Sequence, residues 1–261
     1  MPMDDSQSPR SGRGEERPTA ASRRSTSSLA SRLSGIDWER IGAELDGFGV
    51  STTGVLLTPA ECAGVASGYS KEESFRSRVV MSRHGFGRGE YKYYAYPLAE
   101  LIAELRNTLY PPLAAIANRW EVALGRSADY PQDHEAYLER CHAAGQRRPT
   151  PLLLRYETGD YNCLHQDLYG ALAFPLQTAF LLSAPGADFT GGEFALTEQR
   201  PRMQSRVEVV PLRQGEGVIF AVNQRPVQGG RGVYRVTMRH GVSRLRSGER
   251  FTLGIIFHDA A

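Results

Sequence analysis

The chain has 261 residues and a formal net charge of +2 at pH 7, a length that suits one domain with a tail or two small domains. Its composition is that of a soluble globular protein with enough apolar side chains for a core. No segment approaches the ~20 apolar residues of a transmembrane helix, and the N-terminus lacks the apolar stretch of a secretory signal, so a cytoplasmic protein with no membrane association is expected.

Residues 1–35 are rich in Ser, Arg, Pro and Gly, with almost no aliphatic side chain before Leu29. Such a segment cannot bury enough apolar surface to offset its ordering entropy, which predicts a disordered tail. Its six arginines are set against four acidic residues, a balance that argues against a nucleic-acid tether. Order is expected from Ile36. Trp38, Ile41 and Leu45 fall at helical spacing, and Gly47 ends the run. Thr58-Pro59-Ala60-Glu61 reads as a capping box with proline at the first helical position. Leu98 to Leu109 predicts an amphipathic helix stopped by Pro111-Pro112, and Leu113, Ile116, Trp120 and Leu124 predict a separate one. A shorter helix is expected over Gln132 to Ala143. Residues 36–150 therefore read as a mainly helical support region.

Within that region, Arg83-His84-Gly-Phe-Gly-Arg-Gly has the glycines of a phosphate loop but not the strand-then-helix context. A hairpin or mobile loop leading into a strand is expected instead. The tyrosines that follow suit an aromatic strand with cross-strand pairs, and Tyr91 and Tyr93 are candidates for the substrate side. Cys62, Cys141 and Cys163 are too few and too scattered for a disulfide framework or a thiolate metal site, so each reads as a small buried hydrophobe.

After Pro151 the pattern changes to short strands separated by turns. Strands are predicted over 152–157, 178–184, 192–197, 206–211, 217–223, 234–240 and 251–258, with turns at Pro185-Gly186, Gly191-Gly192, Gln214-Gly215 and Gly229-Gly230. Such a series suggests a sandwich or jelly roll as the core, over 151–261.

The chemistry-bearing residues lie in this half. His165-Gln166-Asp167 follows an apolar run and a Gly-Asp turn, and period-two alternation lets His165 and Asp167 face one point. His240 ends the apolar face made by Val236 and Met238. Two histidines and one carboxylate form the ligand set of a non-haem iron site that leaves its other positions open. Ten residues on, Arg250 and Thr252 share a strand face opposite Phe251, Leu253, Ile255 and Phe257. An arginine on an inner face is costly unless an anion pairs with it, and a dicarboxylate would match its planar fork. The other histidines do not extend this set: His84, in the glycine-rich loop, reads as solvent-facing or substrate-side, and His134, His142 and His258 read as structural. From Leu196 to Arg250 there are 11 arginines against 4 acidic residues, which suits an anionic co-substrate. Arginine outnumbers lysine 29 to 2 throughout, so part of this excess is a property of the whole chain.

The ordered set His165-x-Asp167, His240 and Arg250-x-Thr252 resembles the Fe(II)/2-oxoglutarate-dependent oxygenases. The resemblance implies an α+β fold: a double-stranded β-helix, cupin-like, braced by N-terminal helices. It implies Fe(II) on His165, Asp167 and His240, with 2-oxoglutarate as co-substrate, O2 as oxidant and ascorbate as an optional reductant. Arg250 and Thr252 would bind the far carboxylate of 2-oxoglutarate, and Tyr156, nine residues before His165, stands where related enzymes place a tyrosine on the same group. The reaction implied is hydroxylation of an unactivated C–H with release of succinate and CO2.

Substrate signals diverge. Tyr156-Glu-Thr-Gly159 and Leu164-His-Gln-Asp167 look like the AlkB-type enzymes that dealkylate nucleic acids, but their second arginine is replaced here by Ile256. The short spacing from His240 to Arg250 and the Gly191-Gly192-Glu193 turn look more like prolyl hydroxylases. Over Ile36 to Ala261 the chain is most similar to a bacterial family of predicted nucleic-acid-acting oxygenases, through Gln146 to Pro151, Leu164 to Gly170, Gln199 to Arg206 and His240 to Arg244. In that reading Arg200, Arg202 and Arg206 contact phosphates from a loop over the mouth, or form a solvated turn. The alternatives are a peptide hydroxylase, a non-catalytic 2-oxoglutarate or metal sensor, and a cupin-like enzyme without 2-oxoglutarate.

Overall fold

The computed structural model describes residues 28–168 and 170–261. Five α-helices are α1 (Leu29–Ser34), α2 (Trp38–Phe48), α3 (Pro59–Ser67), α4 (Glu100–Ala123) and α5 (His134–Ala143). The first strands are β1 (Val50–Val55), β2 (Phe75–Val80), β3 (Gly87–Arg88) and β4 (Glu90–Tyr94). Then follow β5 (Leu152–Glu157), β6 (Tyr161–His165), β7 (Leu176–Leu181), β8 (Phe189–Gly191) and β9 (Phe194–Gln199). The last are β10 (Arg206–Val210), β11 (Glu216–Ala221), β12 (Gln224–Gly229), β13 (Gly232–Val242) and β14 (Leu245–Ile255).

The strands form two antiparallel sheets. The larger is 8-stranded with order β1-β11-β7-β14-β5-β4-β2, and β8 pairs with β14. The smaller is 6-stranded with order β10-β9-β13-β6-β3, and β12 pairs with β13. From β5 onward the chain crosses repeatedly between the sheets, with β5, β7, β11 and β14 in the larger and β6, β9 and β13 in the smaller, while β9–β10 and β12–β13 pair as neighbours along the chain. This is the double-stranded β-helix, with α2 against β1 and β11 of the larger sheet and β12 of the smaller, α3 against β14, and α4 against β12 and β14.

Several local expectations are corrected. The expected tail already contains α1, whose Leu29 and Leu33 join the core, and the expectation for residues 1–27 lies outside the described residues. Residues 36–150 supply strands as well as helices, since β1, β2 and β4 extend the larger sheet. Pro111 and Pro112 do not stop a helix, because α4 runs through them. Two missing N–H donors cost stability, but the face made by Leu105, Leu109, Leu113, Ile116 and Trp120 is buried without a break, and that burial outweighs local propensity. Strand β12 was missed because Pro226 lies in it; it pairs only with β13, an edge position that proline tolerates. Cys163 is exposed, not buried.

The capping box forms as predicted, with Thr58 and Glu61 bonding reciprocally. The C-terminus is tied down by a buried ion pair between Arg106 of α4 and Asp259, 2.8 Å apart, and His134 of α5 lies 2.8 Å from the Phe257 carbonyl through Nε2. No helix among the described residues is long and apolar enough to cross a membrane.

Candidate metal centre and co-substrate pocket

The smaller sheet carries the proposed ligands. In the β13–β6 register His240 lies directly opposite His165, which brings their rings to 4.2 Å between centroids. Asp167 sits just beyond the end of β6, where the chain has left the ladder and the carboxylate can turn back. Its Oδ1 lies 3.4 Å from His165 Nε2 and its Oδ2 3.4 Å from His240 Nε2. Donor atoms of the three residues all lie within 4.8 Å of one another, which fits one metal ion.

The surroundings orient these donors. His165 Nδ1 lies 2.8 Å from the Cys163 carbonyl. Donating there puts the ring proton on Nδ1 and leaves the Nε2 lone pair for a metal. His240 is held by packing, against the Phe220 ring at 4.5 Å and the Phe194 ring at 6.1 Å. Gln166 donates to Asn223 Oδ1 at 2.7 Å and to the Met238 carbonyl at 2.8 Å, tying the middle of His-x-Asp to β13. Burial raises a carboxyl pKa, yet the two imidazoles hold Asp167 well below the usual carboxylate range. Burial also drives His240 down, while at His165 the Asp167 carboxylate overcomes burial and drives it up.

The larger sheet supplies the opposite wall of a cavity of about 200 Å3, which the triad also lines. Arg250 pairs with Tyr156 across β14 and β5, and both line the cavity. Arg250 is 2% exposed. One guanidinium nitrogen donates to Thr252 Oγ1 at 2.6 Å, and the rings of Tyr156 and Phe189 lie 5.6 and 5.8 Å away. Its Nε has no hydrogen-bond partner, and no carboxylate lies within 4 Å among the described residues. Burial lowers its pKa. Tyr156 is fully buried, its hydroxyl has no hydrogen bond of normal geometry, and burial pushes its pKa up to about 12. A buried cation and an idle phenol at one end of a cavity fit an anionic ligand. Gly192 makes room for this arginine, because a Cβ there would lie 3.1 Å from Arg250 Cδ.

The substrate-side candidates divide. Tyr91 lines the cavity; Tyr93 packs behind it, edge-on at 5.4 Å, with the Arg76 guanidinium over its ring. Arg200, Arg202 and Arg206 lie outside the lining. Arg200 pairs with Glu198 at 2.6 Å, Arg206 approaches the same carboxylate at 3.6 Å, and Arg202 is exposed. Sequence reasoning missed Gln177, Asn162, Phe194 and Phe220, all in the lining; only Gln177, a polar residue in an apolar strand, left a local signal. A larger groove of about 380 Å3 runs outside the barrel past Arg78, Arg88 and Arg155, but these arginines are paired with Glu90, Asp160 and Glu249. It holds no converging donor set.

Comparison with known proteins agrees with this geometry. Residues 89–260 match the model of the family Oxygenase-NA, described as "Oxygenase, catalysing oxidative methylation of damaged DNA". Two Mycobacterium tuberculosis proteins, MT2286 and Rv2227, both named as uncharacterized, are each 53% identical over 165 residues, which is 63% of this chain and 71% of theirs. Among solved structures, a Trichoplax adhaerens prolyl hydroxylase in complex with a hypoxia-inducible-factor peptide superposes with TM-score 0.53 at 14% identity, covering 88% of this chain and 93% of that one. A Phytophthora capsici prolyl 4-hydroxylase gives 0.50 at 15%, covering 92% and 68%. At these identities the two structures bear on the fold alone. The family match leads to one conclusion, with which a cluster of His165, Asp167 and His240 able to hold a metal ion is consistent: the chain belongs to the Oxygenase-NA family of oxygenases.

Proposed function

We propose that the protein oxidises an alkylated base in nucleic acid, with Fe(II) held by His165, Asp167 and His240 and 2-oxoglutarate anchored by Arg250. The observation that carries the co-substrate assignment is the buried guanidinium of Arg250, which lines the cavity without a carboxylate within 4 Å among the described residues. Thr252 and Tyr156 would complete the carboxylate site with two hydroxyls. When bound, iron with 2-oxoglutarate and O2 supplies the oxidising power to hydroxylate an unactivated C–H, giving succinate and CO2. The protein's own part is to fix three ligands, orient the anion and exclude water with apolar walls such as Phe194, Leu154 and Phe220. Ascorbate would serve only to keep the metal ferrous.

The substrate class is supported by the family description. An oxygenase adds oxygen and the residues here provide no methyl donor, so the balanced form of that description is oxidative removal of a methyl group. Hydroxylation of an N-methyl group gives an N-hydroxymethyl base, which loses formaldehyde and restores the N–H. A peptide hydroxylase is the second reading, favoured by Ile256 at the place of the second AlkB-type arginine; Ile256 is buried in an apolar cluster with Tyr93 and Leu152.

The test begins without oxygen. Fe(II) and 2-oxoglutarate added to apo-protein should give the visible charge-transfer band of the chelate, lost in His240→Ala and weakened in Arg250→Gln. A folded, iron-loaded protein without the band refutes the co-substrate site and favours the cupin-like alternative. Oxygen is then admitted with a methylated single-stranded oligonucleotide or a proline peptide, and succinate and formaldehyde are followed. Formaldehyde with the oligonucleotide supports the first reading. Succinate above background only with the peptide supports the second, and none with either favours a sensor.

A further inference from the structure

On β7 the cavity floor carries a polar side chain that neither the metal nor the co-substrate uses. Gln177 lies on β7, where all six residues are buried. It lines the cavity, is 5% exposed, and its Oε1 has no hydrogen-bond partner among the described residues. An unsatisfied buried amide is destabilising, so its presence calls for a ligand that satisfies it.

Strand register says which ligand it is not. Arg250 is opposite Tyr156; two residues on, Thr252 is opposite Leu154 and Leu181; two more, and Gly254 is opposite Leu152 and Ala179. Gln177 is the next position along β7 on Ala179's face. Arg250 and Gln177 thus mark opposite ends of the floor, three two-residue steps apart, or roughly 20 Å of strand. The carboxylate of a dicarboxylate held on Arg250 therefore sits at the far end of the floor from Gln177. Across the sheet Gln177 is paired with Phe220, whose ring packs 4.5 Å from that of His240. Gln177 therefore flanks the metal-bearing end, away from the co-substrate anchor.

We propose that Gln177 is a specificity-determining contact to the primary substrate. Its amide, with a donor beside an acceptor, pairs with the donor–acceptor edge of a nucleobase drawn out of its stack into the cavity. This rests on the nucleic-acid reading above.

The test compares wild type with Gln177→Met, which keeps the length and removes the amide. The probe is a single-stranded oligonucleotide carrying one N1-methyladenine. The variant should melt no lower than wild type and keep the anaerobic Fe(II)–2-oxoglutarate band, while KM for the oligonucleotide rises about tenfold and kcat changes less. An unchanged KM, with wild type active, overturns the Gln177 assignment alone. Loss of the band overturns it by placing the amide at the co-substrate, and a lower melting temperature overturns it by revealing an internal partner. If wild type neither binds nor oxidises the oligonucleotide, the nucleic-acid reading falls and takes this contact with it. A tenfold rise seen with a proline peptide instead overturns the nucleobase as the ligand.

Discussion

Arg250 sets stability against function, and replacing it with methionine measures both. The side chain is 2% exposed with no carboxylate within 4 Å among the described residues, so in the ligand-free protein its desolvation cost is not matched by a full counter-charge. The compensations are a hydrogen bond to Thr252, worth about 1 kcal/mol, and two aromatic rings at 5.6 and 5.8 Å, worth roughly 1 kcal/mol each. Against these, taking an ion from water costs several kcal/mol, and apolar replacement of buried ionic groups is commonly neutral or stabilising by about 1–4 kcal/mol. Ligand-free Arg250→Met should therefore be as stable as wild type or more so, with a melting temperature up to roughly 10 °C higher. With Fe(II) and 2-oxoglutarate at a hundredfold excess over Kd, anaerobically, wild type should gain about 2.7 kcal/mol from linkage, and the variant should gain almost nothing from the 2-oxoglutarate. Thermal melts of both proteins, with and without ligands, read all four values. Destabilisation of the ligand-free variant by about 3–5 kcal/mol, the cost of breaking a buried ion pair, would refute the reasoning by showing that Arg250 already has an internal anion.

Three further outcomes follow from the fold. Arg106→Leu strands the buried Asp259 carboxylate and should lower stability by about 3–5 kcal/mol in denaturant titration; a loss under about 1 kcal/mol would mean that Tyr96 and His142 suffice to satisfy Asp259. Burial depresses His134 and His258 to about 4, so the unfolded chain takes up protons first as pH falls below about 6.5. Their contribution is intact above that pH and is lost on descent towards pH 4, by on the order of 3 kcal/mol each; His134→Gln should flatten the stability–pH slope by about one proton, and an unchanged slope would contradict the assignment. Gly215 has φ +78° and would place a Cβ 2.0 Å from the Leu57 carbonyl oxygen, so Gly215→Ala should cost at least about 2 kcal/mol through backbone strain and displacement of the Leu56–Leu57 segment that bonds to it, read as a lower melting temperature with 2-oxoglutarate affinity retained.

The parts legible without coordinates were those where chemistry dictates residue type. A ferrous site needs imidazole and carboxylate, and an anion in a barrel needs arginine, so His165, Asp167, His240 and Arg250 stood out by identity and order. Period-two alternation then grouped Arg250 with Thr252, and the turn residues marked out most of the later strands. Tertiary structure decided what depends on partners far along the chain. Only the β13–β6 register puts His240 opposite His165, and only strand order puts Tyr156 beside Arg250. The arginines between Gln199 and Arg206 looked available as a group, but Glu198 engages Arg200 and Arg206 while also pairing with buried Arg225. Pro111-Pro112 looked like a stop because local propensity was all the sequence displayed, whereas the buried face of α4 carries the helix through. Alternation tells which residues share a face, but which face looks into the cavity is set by how two sheets close on each other. That is why the cluster of His165, Asp167 and His240 could be read from the chain, while the place of Gln177 in the cavity lining could not.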